Sequence, residues 1–182
     1  MPAYAALLRG INVNGQKMIK MDHLRALFES LNFQNVSTYI QSGNVVFKSE
    51  EEDAEVLKGV IEKELTRILS FEVPVLLRTK DALEQVVQRN PYKEVIDLES
   101  KQLYVTFLTR TPTVDAVIKT ASIQSEMDEF RIVDREVYVL CRGSYGKTKF
   151  SNAFFEKKLG VTTTTRNWDT INKLIQLTEG GV

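Results

Sequence analysis

The stretch Val36–Ser49, with the sequence VSTYIQSGNVVFKS, decides the fold of this 182-residue chain. Two strand-like runs, Val36–Gln41 and Asn44–Ser49, meet at Ser42-Gly43, and this arrangement is typical of a β-hairpin. The hairpin follows a short apolar strand at Tyr4–Arg9 and a helix whose apolar residues recur at i, i+3, i+4 and i+7. Those residues are Leu24, Leu27, Phe28 and Leu31. A hairpin in this place predicts the order β-α-β-β.

The chain after the hairpin completes a first unit. An acidic turn at Glu51–Glu55 precedes a second helix, as suits the positive end of a helix dipole. The apolar stripe of this helix consists of Leu57, Val60, Ile61, Leu65 and Ile68. Val73–Leu77 is predicted to be a fourth strand. Asp81–Gln88 is predicted to be a short linking helix that ends before Pro91.

The same order of elements returns in the second half. Strands are predicted at Gln102–Thr109, Phe130–Val133, Val137–Leu140 and Val161–Thr165. Helical stripes are formed by Val114, Val117, Ile118 and Ala121, by Phe150, Phe154, Phe155 and Leu159, and by Trp168, Ile171, Leu174 and Ile175. Thr111 with Pro112 predicts the start of the first of these helices. Thr148 is a candidate cap of the second helix, and Gly160 is expected to end it.

Two successive β-α-β-β-α-β runs predict an α+β protein with two ferredoxin-like (α-β plait) units in tandem. Each unit is expected to have an antiparallel sheet with helices on one face, and an extra helix ends the chain. We predict a first domain at 1–95, which includes the linking helix, and a second at 96–182, which includes the C-terminal helix. The polar stretch Pro91–Ser100 is the predicted boundary.

The composition excludes several classes of protein. An apolar fraction of 43% with 24 basic and 24 acidic residues describes a globular protein of zero net charge, which argues against nonspecific nucleic-acid binding. One cysteine and one histidine cannot build a Cys/His zinc site. The first apolar run, Ala3–Leu8, is too short for a signal peptide core or a membrane span. We therefore expect a cytoplasmic location, with Cys141 a buried thiol and His23 a partly exposed helix residue.

Charged residues are nevertheless distributed unevenly along the chain, in segments of opposite sign. The segment from Arg9 to Lys20 carries a charge of +3, and the segment from Arg142 to Arg166 carries +5. Residues 50–55 alone carry −5. Zero net charge is therefore compatible with a local anion site.

Four segments combine glycine, amide and basic residues and could bind an anion. The first leaves the first strand and enters a helix, so it offers backbone N–H groups and a positive helix end. The second is the hairpin turn, the third is a basic loop before a helix, and the fourth is the start of the last helix. The ligand-binding residues predicted in these segments are Arg9, Gly10, Asn12, Gly15, Lys17, Gln41, Ser42, Asn44, Lys147, Arg166, Asn167 and Trp168.

Each segment also has a structural interpretation. Glycine and asparagine permit positive φ in loops and turns. Asn167 fits a helix cap, and Trp168 fits a core or interface anchor. Gly146-Lys147-Thr148 looks like the end of a phosphate-binding P-loop, but Cys141 stands where the first glycine of that motif belongs, and we reject this interpretation. The sequence identifies no catalytic residue or cofactor, and we expect no metal site.

These four segments also carry a family resemblance, and in the third it is the run Gly146–Lys149 that fits. The sequences ALLRGINV (Ala6–Val13), TYIQSGNVVF (Thr38–Phe47) and TRNW (Thr165–Trp168) resemble the signatures of one bacterial family, domain-of-unknown-function family 1697. The resemblance spans essentially the whole chain, although Asn14 stands where a second glycine is common and Lys147-Thr148 stands near the usual Ser-Lys. It implies a two-part ferredoxin-like fold and no established activity, substrate, cofactor or catalytic residue.

Three functions compete. The leading interpretation is a cytoplasmic protein that binds a phosphate- or carboxylate-bearing small molecule, with the four segments converging on one site. An alternative is a phosphate-ester or acyl-phosphate hydrolase, by analogy with ferredoxin-like acylphosphatases, in which Arg9 would stabilise charge and Asn44 would orient water. A further alternative is an RNA-binding or protein-interaction module. RNA stacking needs exposed aromatic residues, and Phe47 is more typical of a core. The oligomeric state stays open.

Overall fold

The computed structural model describes residues 1–95 and 102–180. These residues form eight β-strands and six α-helices. The strands are β1 (Ala3–Leu8), β2 (Gln34–Tyr39), β3 (Asn44–Lys48), β4 (Val75–Thr79), β5 (Gln102–Leu108), β6 (Glu129–Val133), β7 (Glu136–Cys141) and β8 (Thr163–Asn167). The helices are α1 (Met21–Ser30), α2 (Ala54–Leu69), α3 (Lys80–Gln88), α4 (Val114–Ala121), α5 (Asn152–Leu159) and α6 (Trp168–Glu179).

The chain divides into two compact units. Unit 1 consists of Met1–Gln85 and Asn172–Val182, and unit 2 consists of Val86–Ile171. Of the predicted boundary segment Pro91–Ser100, residues 96–100 lie outside the described part of the chain. The domain limits at 95 and 96 stay a prediction. Within residues 1–95 and 102–180, no helix combines the length and the apolar content that crossing a membrane requires.

Each unit is built on a four-stranded antiparallel sheet with the same strand order. The order is β2-β3-β1-β4 in unit 1 and β6-β7-β5-β8 in unit 2. The first strand of each unit is central: Ala5 lies opposite both Val46 and Arg78, and Val105 lies opposite Arg166. The prediction of an α+β protein with two tandem ferredoxin-like units and an extra C-terminal helix is confirmed.

The core of unit 1 lies between its sheet and helices α1 and α2. Because side chains alternate along a strand, β1 sends Tyr4 and Leu8 into this core from one face of the sheet. Phe47 is fully buried there, with its ring centroid 5.7 Å from that of Tyr4 and 5.5 Å from that of Phe28. Phe47 is thus a core residue, as expected.

Helix α2 is confirmed, but part of its predicted stripe does not face the core. Leu57, Ile61 and Leu65 are buried at a spacing of four residues. Val60 is 43% exposed, because it lies at the margin of the face that these three residues form. Ile68 is 48% exposed, because it lies in the last turn, where it borders a cleft.

The core of unit 2 contains Val137, Val139 and Cys141 from β7, with Phe150 and Phe155 packed against them. Cys141 is fully buried, as expected. Burial raises the pKa of this thiol from 9.0 to about 11, so it remains protonated and unreactive at neutral pH.

Helix α4 presents its apolar stripe to solvent. Val114 is 73% exposed and Ile118 is 63% exposed. The positions that turn toward the core are Ala116 and Thr120, and the Thr120 hydroxyl donates to the Ala116 carbonyl at 2.7 Å. The helix itself is confirmed, but small and polar residues make its core contact.

Two predicted helix starts are wrong. The cap of α4 is Thr113, whose hydroxyl accepts from the Ala116 amide at 3.2 Å, because Pro112 with Thr111 lies ahead of the first turn. The cap of α5 is Ser151 rather than Thr148. The Thr148 hydroxyl instead accepts from the Phe150 amide, in the turn before the helix.

Two other helix boundaries agree with the sequence. Gly160 follows α5 with φ +67°, a left-handed conformation that glycine adopts without strain. The Asn167 side chain accepts from the Thr170 amide at 2.8 Å and caps α6.

The connection from the first strand to the first helix differs between the units. In unit 1 it runs over residues 9–20, and in unit 2 over residues 109–113. Both connections join equivalent elements of the same fold. The longer one forms one side of a cleft in unit 1.

Candidate functional site

A cleft of about 860 Å³ opens in unit 1 beside the long connection, between the start of α1 and the end of α2. Apolar side chains make up much of its wall, among them Met18, Leu27 and Ile68. Polar lining comes from two predicted site residues, Asn12 and Gln41. Lys20, Asp22, His23, Glu64 and Arg67 add titratable groups. The cleft therefore joins an apolar wall to a charged rim.

Asn12 fastens the long connection to the hairpin turn. Its Nδ2 donates to the Gln41 carbonyl at 2.8 Å and to the Ile19 carbonyl at 3.1 Å. Its Oδ1 accepts from the Ile19 amide at 2.8 Å. The residue has φ +52°, which asparagine tolerates better than most residues. Asn12 thus uses its side chain to hold the wall of the cleft in place.

The tip of the connection forms a small hairpin of its own. Val13 and Gln16 make an isolated bridge, and the Gln16 amide donates to the Val13 carbonyl at 2.9 Å. Asn14 and Gly15 between them have φ +51° and +70°, as a type I′ turn requires. Gly10, with φ +74°, allows the chain to leave β1. These residues shape the loop through their backbone.

Lys17 is directed away from the cleft lining. Its Nζ lies 3.4 Å from the Glu72 carbonyl and 5.7 Å from the centre of the Phe71 ring. It is exposed and packs over an aromatic face. Of the basic residues in the connection, Lys20 is the one that lines the cleft.

The hairpin turn has structural roles at three positions. Asn44 is fully buried, and its Nδ2 donates to the Tyr39 carbonyl at 2.9 Å and to the Ser42 hydroxyl at 3.0 Å. Gly43 has φ +86°, and a Cβ there would lie 2.6 Å from Cδ1 of Ile11. A side chain at position 43 would therefore collide with the start of the long connection.

Arg9 is half-buried at the start of the same connection. Its backbone amide donates to the Pro74 carbonyl at 2.9 Å, which ties the end of β1 to the segment before β4. In unit 1 the structure thus brings Asn12 and Gln41 into contact at the cleft, while Arg9, Lys17 and Asn44 have contacts elsewhere in the unit.

The first turn of α1 has no side-chain cap, and it carries the acidic residue Asp22. Lys20 occupies the cap position, and no side chain of that residue caps the helix. Because the first amides of a helix carry partial positive charge, this end adds to the charge of Lys20. Across the cleft, Arg67 donates to Glu64 at 2.6 and 2.9 Å, and this hydrogen bond lowers the pKa of the Glu64 carboxyl.

The remaining predicted site residues belong to unit 2. Lys147 is exposed, at the end of a one-turn 3₁₀ helix at Tyr145–Lys147. Arg166 is buried on β8, and its Nη1 donates to the Thr164 hydroxyl at 2.7 Å and to the Thr165 carbonyl at 2.9 Å. Asn167 is an exposed cap, and Trp168 is half-buried.

A hydroxyl network in unit 2 has no counterpart in the sequence prediction. The Tyr145 hydroxyl donates to the Thr165 hydroxyl at 3.0 Å, and the Thr106 and Thr165 hydroxyls are 2.8 Å apart. Thr163 and Thr165 both donate to Oδ1 of Asn152 at 2.8 Å. Burial raises the pKa of Tyr145, so its hydroxyl stays neutral. The network ties the loop before α5 to the sheet.

The charged rim and the apolar wall of the cleft were missed from the sequence. His23 was expected to be an ordinary helix residue, and Ile68 was counted in a helical stripe. Arg67 was not singled out. The signal available in the sequence was the amphipathic end of α2, but its position opposite α1 depends on tertiary packing. In residues 1–95 and 102–180, no group of three His, Cys, Asp or Glu side chains could hold a metal ion.

Comparison with known proteins identifies a family model and a similar solved structure. A family model described as "Protein of unknown function (DUF1697)" matches residues 1–138. The structure of the conserved bacterial protein SP0830 from Streptococcus pneumoniae is similar, with a TM-score of 0.75 and 25% sequence identity, and the match covers 99% of each chain. No curated protein matches the sequence. Neither description mentions a ligand or an activity.

Proposed function

The chain belongs to the DUF1697 family, and we propose that it binds a small phosphate- or carboxylate-bearing molecule with an apolar portion in the cleft of unit 1. The observation that carries this proposal is the composition of the cleft. A wall with Met18, Leu27 and Ile68 ends at the start of α1, where Lys20 adds a positive charge. Such a cleft suits an amphipathic anion.

The two parts of the cleft have different roles in this proposal. Burial of apolar ligand surface contributes about 25 cal/mol per Å², so most of the affinity comes from the wall. The helix end contributes about 0.3–1 kcal/mol toward an anion and mainly sets the orientation of the ligand. Asn12 and Gln41 present amide groups nearby, which favour a ligand that accepts or donates hydrogen bonds.

A ligand series tests the proposal. Octanoate, octyl phosphate, 1-octanol and inorganic phosphate are compared by thermal shift and by isothermal titration calorimetry. We expect octanoate and octyl phosphate to bind, since a ligand at about a hundred times its Kd stabilises the protein by about 2.7 kcal/mol. The octanol and phosphate arms separate the apolar and anionic contributions, and each is expected to bind more weakly. Equal binding of octanol and octanoate contradicts the anionic part of the proposal.

A pair of lysine variants locates the site. Lys20→Gln removes the charge at the cleft, and octanoate should bind about fivefold more weakly, the equivalent of roughly 1 kcal/mol. Lys17→Gln removes the same charge from the same connection, but its side chain lies over Phe71. This control should bind octanoate like the unmodified chain. If Lys17→Gln weakens octanoate binding more than Lys20→Gln does, the anion binds at the loop tip, and the proposal that it binds in the cleft is wrong.

We further propose that the protein is bacterial and works in the cytoplasm. The single cysteine is buried and the chain has no second cysteine for an internal disulfide, so folding needs no oxidising compartment. Zero net charge supports a small-molecule partner over nonspecific nucleic-acid binding.

A further inference from the structure

His23 is the single histidine of the chain, and it lies on the side of α1 that lines the cleft of unit 1. Ala26, Leu27 and Ser30 line the same cleft, and they follow His23 by three, four and seven positions. Residues at this spacing share one side of a helix, so the imidazole belongs to the cleft wall. A side chain that ordinarily titrates near neutral pH is thus part of the candidate site.

The His23 side chain has no polar partner within residues 1–95 and 102–180. It is exposed, and in this part of the chain it makes neither a hydrogen bond nor an ion pair. Arg25 and Glu29 on the same helix form an ion pair with each other, with Nε and Oε1 3.7 Å apart, and they lie outside the cleft lining. The imidazole is therefore available to a ligand in the cleft.

The other charged side chains of the cleft lining cancel in sign. They come from the long connection, the first turn of α1 and the end of α2, and they are Lys20, Asp22, Glu64 and Arg67. The hairpin turn contributes only the neutral Gln41. The hydrogen bond from Arg67 lowers the pKa of the Glu64 carboxyl, which stays ionised at neutral pH. Two positive and two negative groups leave the lining neutral, so protonation of His23 gives it a net positive charge.

We propose that His23 takes up a proton when an anion occupies the cleft, and that the imidazolium then binds the anionic group together with Lys20. This inference rests on the proposed function of the cleft and adds a pH dependence to it. The proton comes from solvent and adds to the unprotonated ring nitrogen. Because ligand binding and protonation are linked, each strengthens the other by the same factor.

The surroundings of His23 explain why a ligand is needed for the proton to bind more tightly. Without a ligand, the charge of Lys20 and the partial positive charge at the start of α1 oppose protonation of His23. Asp22 favours protonation, but adjacent residues of a helix do not face each other. Glu64 favours it too, but its carboxylate is already bonded to Arg67. A bound carboxylate or phosphate supplies the opposite charge that favours the imidazolium.

Calorimetric titration of octanoate into the untagged chain, between about pH 6 and about pH 8, tests the coupling. Carboxylates and lysine ammonium groups ordinarily keep their charge across this range, and imidazole does not. We expect the Kd to be about fivefold lower at the acidic end, which is the low end of usual coupling because His23 is exposed. His23→Gln should bind octanoate with the same Kd throughout.

A variant with a permanent charge separates the charge of the imidazole from other effects of substitution. His23→Lys stays positive throughout the range, so at about pH 8 it should bind octanoate as tightly as the unmodified chain does at about pH 6. Binding of the uncharged 1-octanol to the unmodified chain should not change with pH. Circular dichroism checks that both variants fold, as expected for an exposed position.

The proton can also be followed directly by NMR. Because the chain has one histidine, its ring protons give a single titration curve. Saturating octanoate should move the midpoint of this curve to higher pH by about 0.7 pH unit, which is the fivefold change in Kd on a logarithmic scale. Octanol should leave the midpoint unchanged.

The outcomes separate this inference from the proposed function. If the Kd of octanoate is independent of pH, or varies equally in the unmodified chain and in His23→Gln, His23 has no such role, although the cleft still binds the anion. A midpoint that octanoate does not move also overturns the inference, as does an equal pH dependence for octanol. If octanoate binds at no pH, the proposed function is wrong and the inference falls with it.

Discussion

Arg78 on β4 and Arg166 on β8 occupy the same position in the two sheets. Arg78 lies opposite Ala5 of β1, and Arg166 lies opposite Val105 of β5, the central strand of its own unit. Both are buried, and each is followed at once by the residue that caps the next helix, Thr79 or Asn167. An Asp follows two positions later in both units. The units therefore share a motif of residues as well as an order of elements.

The shared position indicates a structural role for Arg166, which the sequence had placed among ligand-binding residues. Arg166→Gln should lower the free energy of unfolding by about 1–3 kcal/mol, because it removes hydrogen bonds to Thr164 and Thr165 and leaves buried acceptors unsatisfied. Urea denaturation measures the loss. Octanoate affinity should not change. A variant of normal stability with lost octanoate binding would assign Arg166 to the ligand.

A comparison of Asn12 with Asn14 measures how much the Asn12 side-chain hydrogen bonds at the cleft contribute to stability. Both have φ near +50°, but the Asn12 side chain also makes three hydrogen bonds. Asn14→Ala should cost about 1 kcal/mol, the price of the backbone conformation alone. Asn12→Ala should cost about 2–4 kcal/mol, since the backbone groups of Ile19 and Gln41 lose their hydrogen bonds as well. If urea denaturation shows the same loss of unfolding free energy for the two variants, the Asn12 side-chain hydrogen bonds contribute nothing to stability.

Alanine substitutions at three glycines distinguish the cost of steric overlap from the cost of backbone strain. Gly43→Ala brings a Cβ to 2.6 Å from Ile11 at φ +86° and should cost about 2–4 kcal/mol. Gly15→Ala has φ +70° but open space, so about 1 kcal/mol is expected. Gly146→Ala has neither constraint and should stay within about 0.5 kcal/mol of the unmodified chain. Thermal or urea unfolding gives the ranking, and a neutral Gly43→Ala contradicts it.

The buried thiol predicts a pH dependence of stability. The pKa of Cys141 is about 11 in the folded protein against an ordinary 9.0, so folding favours the protonated thiol. Its stabilising contribution is complete below pH 9 and is lost as pH rises toward 11. The stability difference between the unmodified chain and Cys141→Ala should therefore shrink across this window.

The same burial predicts slow chemical modification. At pH 8 the thiol of the folded chain should resist Ellman's reagent, and denaturant should release it for reaction at once. Rapid modification of the folded chain would show that Cys141 is accessible, and the pH prediction would then lose its basis.

Much of the fold was predictable because the hairpin and the helical stripes are local signals. The order of strands and helices and the caps at Gly160 and Asn167 follow from residues near each other in sequence. Thr113 and Ser151 were missed as caps because Thr111 and Thr148, which are also hydroxyl residues, stand a few positions earlier. The exposed stripe of α4 could not be predicted, since which face of a helix turns inward depends on the elements it packs against.

The candidate site was predictable only in part, for a related reason. Asn12 and Gln41 stood out as polar residues in turns, and they do line the cleft. Asn44 stood out equally, but its side chain is used inside the hairpin. His23 and Ile68 gave no signal of their own because helix residues become cleft residues only when two helices leave a gap between them.

The two units share one strand order but differ in the length of the connection between the first strand and the first helix. Residues 109–113 show that this fold closes with a short connection, so the length of the 9–20 segment is not imposed by topology. Insertions or randomised residues at Val13–Gln16, the tip of that segment outside the cleft lining, should therefore leave the strand order intact. Unit 1 can therefore serve as a scaffold into which other loops are grafted at this position. Unit 2 shows the same fold with the short connection.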